Sequence, residues 1–135
     1  MQLKDFDFRV WNKDEETLTY ASKDYKLDIG FSNPQQDYGV CESELHAYYD
    51  GEPMCPSDCE IELWSGFYDC KGKKIYENDI IQTTEEIGVV EYNRGTFWVR
   101  QENIEPYRLN VAIFEEFMNY GKVEVIGNIH ENADS

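Results

Sequence analysis

Apolar and polar residues alternate along most of this chain with a period of two, the spacing that gives a β-strand one buried face. In FDFRVWN, residues 6–12, Phe6, Phe8 and Val10 share one side and Asp7, Arg9 and Trp11 the other. The charged NKDEE that follows is turn-like, and LTYA, residues 18–21, can return as the second strand of a hairpin. Tyr25, Leu27 and Ile29 alternate again until Gly30-Phe31-Ser32-Asn33-Pro34 ends that strand.

Residues 33–59 are the least regular part and hold three of the four prolines, in the loop-like runs NPQQDYG and DGEPMCPSDC. Between them VCESELHAYY suits a short helix or a strand equally, because ten residues do not separate the two periods. From residue 60 the alternation returns. EIELWSGFY reads as a strand burying Ile61, Leu63 and Phe67. Asp69-Cys70-Lys71-Gly72 is then a turn, with Gly72 free to take positive φ, and Lys73 to Tyr76 the next extended piece. NDIIQTT and IGVVEYN follow as strands, and Asn93-Arg94-Gly95 makes a tight turn into TFWVRQ.

One segment has the helical period. In RLNVAIFEEFMNYG, Val111, Phe114 and Met118 fall on one face, Asn110 can cap the start, and Gly121 suits the left-handed position beyond the end. The chain finishes with KVEVIGNIH, a strand with Val123, Val125 and Ile129 inward. The expected class is therefore α+β and β-rich: antiparallel sheets with one short helix near 110–120. With no repeat and no flexible linker, residues 1–135 read as a single domain.

Composition supports a packed core, since aromatic residues make up 15% of the chain. Trp11, Trp64 and Trp98 are candidate core or interface anchors, and the core is the expected place for at least two of them. Charge narrows the partners. Twelve basic residues face 28 acidic ones, a net of −16, spread as −10 over residues 1–65 and −6 over residues 66–135. A nucleic-acid duplex repels such a surface, so direct nucleic-acid binding is not expected. No apolar run reaches the length of a membrane span, and MQLKDFDFRV lacks the form of a signal peptide, which makes the cytosol the expected compartment.

Candidate chemistry is sparse. Cys41, Cys55, Cys59 and Cys70, with His46 as a spare ligand, raise a zinc site, yet only Cys55 and Cys59 are closely spaced and no second knuckle matches them. His46 and His130 stand in no nucleophile motif, and no phosphate loop, dinucleotide fingerprint or zinc-protease motif occurs. Lys71, Lys73 and Lys74 are the one basic cluster. The strand-like residues after them favour a solvated hairpin tip over a phosphate cradle. No catalytic residue and no cofactor is expected.

Four segments, in this order, also resemble one known family. FRVWNKDEETLTY, SGFYDCKGKKIYENDII, GVVEYNRGTFWV and VEVIGNIHEN are similar to the YopX family of phage and prophage proteins. The residues that carry the resemblance are Phe8, Arg9 and Trp11 in the first segment and Gly66, Gly72, Ile75, Tyr76, Asn78, Asp79 and Ile80 in the second. Ile126, Gly127, Asn128, Glu131 and Asn132 carry it in the last. The N-terminal strands span about residues 1–32, a variable insertion about 33–59 falls outside the resemblance, and a β-rich part covers about 60–135.

Where the family carries glycine before the aspartate, this chain has Asn78, the non-glycine residue that best tolerates the left-handed region. A backbone kink is expected there, with Asp79 bonded to local amides and Ile80-Ile81 starting a strand. That sequence of features also resembles the entry to an SH3-like barrel, a likeness of fold alone. The resemblance implies a non-enzymatic accessory protein acting in the host cytosol through homo-oligomerisation and protein contacts. The alternatives are an acidic inhibitor that mimics a polyanion and binds a basic host or phage protein, and a zinc-stabilised binding module.

Overall fold

The computed structural model describes residues 2–32, 44–83, 86–102, 104–109, 115 and 122–131. Its strands are β1 (Phe8–Asn12), β2 (Thr17–Tyr20), β3 (Leu27–Ser32), β4 (Glu44–Tyr49), β5 (Glu52–Pro53) and β6 (Cys59–Tyr68). They continue as β7 (Lys74–Tyr76), β8 (Asp79–Gln82), β9 (Ile87–Asn93), β10 (Thr96–Gln101), β11 (Ile104–Arg108) and β12 (Glu124–Asn128). The sheet pairings are antiparallel, and a 3₁₀ turn covers Leu3–Asp5. The described residues are thus all-β. The helix expected near 110–120 lies outside them apart from Glu115, which is helical. The chain forms two compact units, Asp7–Glu62 and Met1–Phe6 with Leu63–Ser135.

In the unit Asp7–Glu62, β1 and β2 make a hairpin from Arg9↔Tyr20 to Asn12↔Thr17. Its turn is held by Asn12, whose Oδ1 accepts the amides of Asp14 and Glu15, each at 3.0 Å. Residues 40–49, ambiguous by periodicity, contain the strand β4, which pairs with β3 from Leu27↔Tyr49 to Ser32↔Glu44. Asp50 and Gly51, at φ 52° and 84°, then form the left-handed corner into β5. The alternation places Arg9 and Asp7 on the solvent side of β1, but both are buried alongside Phe8 and Val10. Arg9 is accommodated because Glu62, from the first part of β6, is buried with it. In β6 the buried position is accordingly Glu62, while Ile61, Leu63 and Phe67 are half-buried. Phe6 precedes β1 and Tyr25 precedes β3, and both are exposed.

In the other unit, β8 to β11 form a meander and β12 returns beside β8, giving the order β11-β10-β9-β8-β12 in an open half-barrel. Ile75, Ile81, Val90, Val99, Leu109, Val123 and Val125 are its core, with Phe67, Phe97 and Tyr107 packed against them. Burying each such aliphatic side chain contributes about 1.5–3 kcal/mol. Arg94 and Gly95, both at positive φ, make the expected tight turn between β9 and β10. A bulge between Val125 and Gly127 shifts the parity of β12. Val123 and Val125 face inward as expected, but beyond the bulge Asn128 is the buried position, and Ile126 and Ile129 are exposed. The tryptophans are not core: Trp11, Trp64 and Trp98 are all half-buried. The Trp64 and Trp98 indole N–H groups donate to the carbonyls of Phe67 and Asn93, which ties each ring to its own hairpin.

Close packing is tightest at Gly88, where an added Cβ would lie 2.5 Å from Val99 Cγ1 and 3.3 Å from the Arg100 carbonyl. Gly88→Ala should lower unfolding free energy by about 1–3 kcal/mol in urea titrations. Gly72→Asn, at an open turn with φ 81°, should cost less than about 1 kcal/mol. Equal costs for the two would contradict this account of β9 and β10.

Candidate functional site

The residues able to do chemistry are the buried polar ones, and most of those in the larger unit hold backbone. Asp69 stands at the end of β6 and is 5% exposed. Its Oδ1 accepts the amides of Lys71 at 2.9 Å and Lys73 at 2.8 Å, and its Oδ2 accepts that of Val125 at 3.0 Å. The turn is tied to the last strand a second time, by Cys70 N–H donating to the Val123 carbonyl at 2.8 Å. Burial pushes the Asp69 carboxyl up, but the amides of Val125, Lys73 and Lys71, with the nearby Lys73 charge, outweigh it and hold it below the usual range.

Asn78 adopts φ 69°, the kink expected of it. Its amide donates to Val90 O at 2.6 Å, and its carbonyl accepts from Ile129 N at 3.0 Å. Asp79 is buried and its Oδ2 accepts the Tyr76 amide at 2.8 Å. Asn128 pairs with Asp79 in the β12–β8 register, and its Oδ1 accepts the amides of His130 and Glu131 at 3.0 and 3.1 Å. Gly127 is close-packed too, since a Cβ there would lie 3.0 Å from Glu131 Oε2. Ile75 and Tyr76 are buried, Ile80 is half-buried, and Gly66 and Gly72 sit at φ 90° and 81°. The two stretches of this unit that carry the family resemblance, residues 66–80 and 126–131, thus meet in one hydrogen-bonded junction. Asn132 lies outside the described residues.

In the other unit, Arg9 Nε donates to Glu62 Oε1 at 2.7 Å with both side chains 1% exposed. Arg9 Nη1 reaches the Tyr20 hydroxyl at 3.4 Å. Phe8 is buried beside Arg9 and Trp11 half-buried. Neither Glu62 nor Asp69 stands out in the sequence, because acidic residues are so frequent that no single one is marked.

Among the described residues the thiols and imidazoles form no reactive set. Cys55, Cys59 and Cys70 are free, and Cys41 lies outside the described residues. Burial, then the charges of Asp58, Cys55 and Glu15, pushes the Cys59 thiol up and makes its thiolate scarce. Among the described residues no three His, Cys, Asp or Glu side chains stand close enough to hold a metal. His46, Met54 and Cys59 line a small cleft of about 170 Å³ with Leu45, Ala47 and Ile61 among its walls. The His46 Nε2 is buried without a hydrogen bond, 3.9 Å from the Glu44 carboxylate. His130 is a half-buried turn residue after β12.

The lysine cluster does not make an anion cradle. Lys71 pairs with Glu124 at 2.6 Å, and Lys74 lies over the Trp64 ring, 4.4 Å from its centroid. A second cleft, of about 480 Å³, opens on the β3–β4 hairpin between Tyr25, Lys26, Asp28, Tyr48, Asp50 and Gly51. Sequence reasoning misses it, because these residues are gathered by the pairing of β3 with β4, strands that are not contiguous in sequence.

The comparisons bear on fold and family. A family model described as YopX protein matches residues 7–134 in one span. No curated protein matches the chain. The crystal structure of protein EF1440 from Enterococcus faecalis is similar over 94% of each chain, with a TM-score of 0.54 at 21% identity. At that identity the likeness is one of fold. No described helix is long and apolar enough to cross a membrane.

The junction should be visible in acid. Asp69 is held ionised in the folded state, so its stabilisation is complete above the carboxylate's unfolded pKa and is lost as pH falls through the lowered folded one. Asp69→Asn should cost about 1–3 kcal/mol at pH 7. The gap to the parent chain should narrow in thermal melts as pH drops below about 4. A gap that stays constant with pH would show that the carboxylate charge is not what holds the turn.

Proposed function

The chain belongs to the YopX family, and from that premise we propose that it is a phage- or prophage-encoded accessory protein without enzymatic activity, acting through self-association and protein contacts in the host cytosol. One observation carries this reading: among the described residues Arg9 and the buried carboxylates Glu62, Asp69 and Asp79 are engaged in holding the fold, while several large apolar side chains are exposed. Arg9 and Glu62 hold each other, and Asp69 and Asp79 hold backbone amides. Phe31 and Leu45 face one another across β3 and β4 and are 75% and 44% exposed. In the half-barrel unit Ile87, Tyr92 and Ile126 are exposed as well. The meander with a returning fifth strand has the strand order of an SH3-like barrel, which adds a fold analogy and no activity.

A second reading, an acidic module that binds a basic host or phage protein, is favoured by one specific feature. The unit Asp7–Glu62 carries 4 basic and 14 acidic residues, a net of −10 in 56 positions. Such a surface attracts cationic partners over about a Debye length and repels nucleic acid.

Light scattering behind size-exclusion chromatography tests the first reading. A mass above that of one 15.9 kDa chain is expected at micromolar concentration, and Phe31→Ser should shift it toward the monomer. A monomer at high micromolar concentration would sink self-association.

A further inference from the structure

We propose that the cleft on the β3–β4 hairpin receives a lysine or arginine side chain of a basic protein partner. Its floor is set by strand register: Asp28 lies directly opposite Tyr48, and the Asp50 amide donates to the Lys26 carbonyl at 2.9 Å. The left-handed pair Asp50-Gly51 closes one end. Tyr25 overhangs the cleft and is 91% exposed. The space, about 480 Å³, is wide enough for an alkyl-ammonium or guanidinium head.

The chemistry of the walls selects a cation. Two tyrosines and two aspartates line it, and phenol rings and carboxylates both attract cations. The Asp28 Oδ1 accepts the Ile29 amide at 2.9 Å, which fixes the carboxylate on its strand and leaves its other oxygen for a partner. The surroundings reinforce the choice, because this unit has 14 acidic residues against 4 basic. Among the described residues of the lining, Lys26 is the one opposing charge, and it competes with an incoming cation. An anionic, apolar or nucleic-acid ligand has no comparable complement here. The inference deepens the basic-partner reading and rests on it.

The test titrates the full chain with an octalysine peptide at physiological salt, by calorimetry, with circular dichroism to show that each variant is folded. Asp28→Asn and Tyr48→Leu should each weaken binding about threefold to fivefold. Lys26→Gln should tighten it about twofold, a gain that damage to the fold would not produce. Asp14→Asn, on the exposed β1–β2 turn, should leave it nearly unchanged. If Asp14→Asn and Asp28→Asn weaken binding equally, attraction is diffuse and the cleft is overturned while the basic-partner reading stands. If octalysine does not bind at all, both fall.

Discussion

The half-barrel unit depends on one carboxylate. Asp69 brings together the end of β6, the turn before β7 and the first residues of β12, segments more than 50 positions apart in sequence. A buried carboxylate is costly unless it is well bonded, and three amides aimed at two oxygens meet that condition. The three donors come from backbone, so the arrangement fixes chain direction rather than side-chain identity. Val123 and Val125 enter the core beside this point, and Cys70 doubles the link through Val123. With β12 anchored, its pairing to β8 and the bulge that turns Asn128 inward follow from register.

Arg9 and Glu62 do the comparable job in the other unit by a different route. An ion pair buried to 1% exposure on both sides repays little net energy, because desolvation of both groups offsets their attraction. Its consequence is specificity of pairing. Removing one partner strands a charge, so a shifted register of β1 is penalised far more than the correct one is rewarded. A strand whose two faces both lack ordinary polarity would otherwise be free to slip by a residue.

Much of this was legible as alternation. Strands β1, β8, β9, β10 and β12, the Arg94-Gly95 turn and the kink at Asn78 all follow from period two and from the few residues that accept positive φ. What the pattern hides is any position where a charge is buried by pairing. Arg9, Glu62 and Asp69 look like solvent residues because hydrophobicity scales price each side chain alone, whereas burial was decided by partners 53 and 56 residues away. The bulge in β12 deceives in the same manner: one extra residue inverts the faces, so Ile129 reads as inward and is not. Trp11, Trp64 and Trp98 mislead through size, since all three stay half-buried, and the indole N–H groups of Trp64 and Trp98 bond to nearby carbonyls. Residues 40–49 stay ambiguous until β3 supplies a pairing partner, which no local window contains.

The two units divide their polar residues differently. The half-barrel buries its distinctive residues and uses them on its own backbone; the resemblance segments that fall there describe a fold. The unit Asp7–Glu62 has a surplus of ten negative charges, and only Arg9, Lys13, Lys23 and Lys26 oppose them. Lys13 pairs with Glu60 and Lys23 lies over Tyr20, so internal neutralisation is largely used up. Self-repulsion of that size destabilises a small β unit unless something outside it compensates. A protein can tolerate such a surface for solubility, but the same charge placed around exposed tyrosines also sets a preference for cationic partners. The proposed basic-partner reading rests on that acidic unit, whereas Asp69, Asp79 and Asn128 of the half-barrel bond to its own backbone.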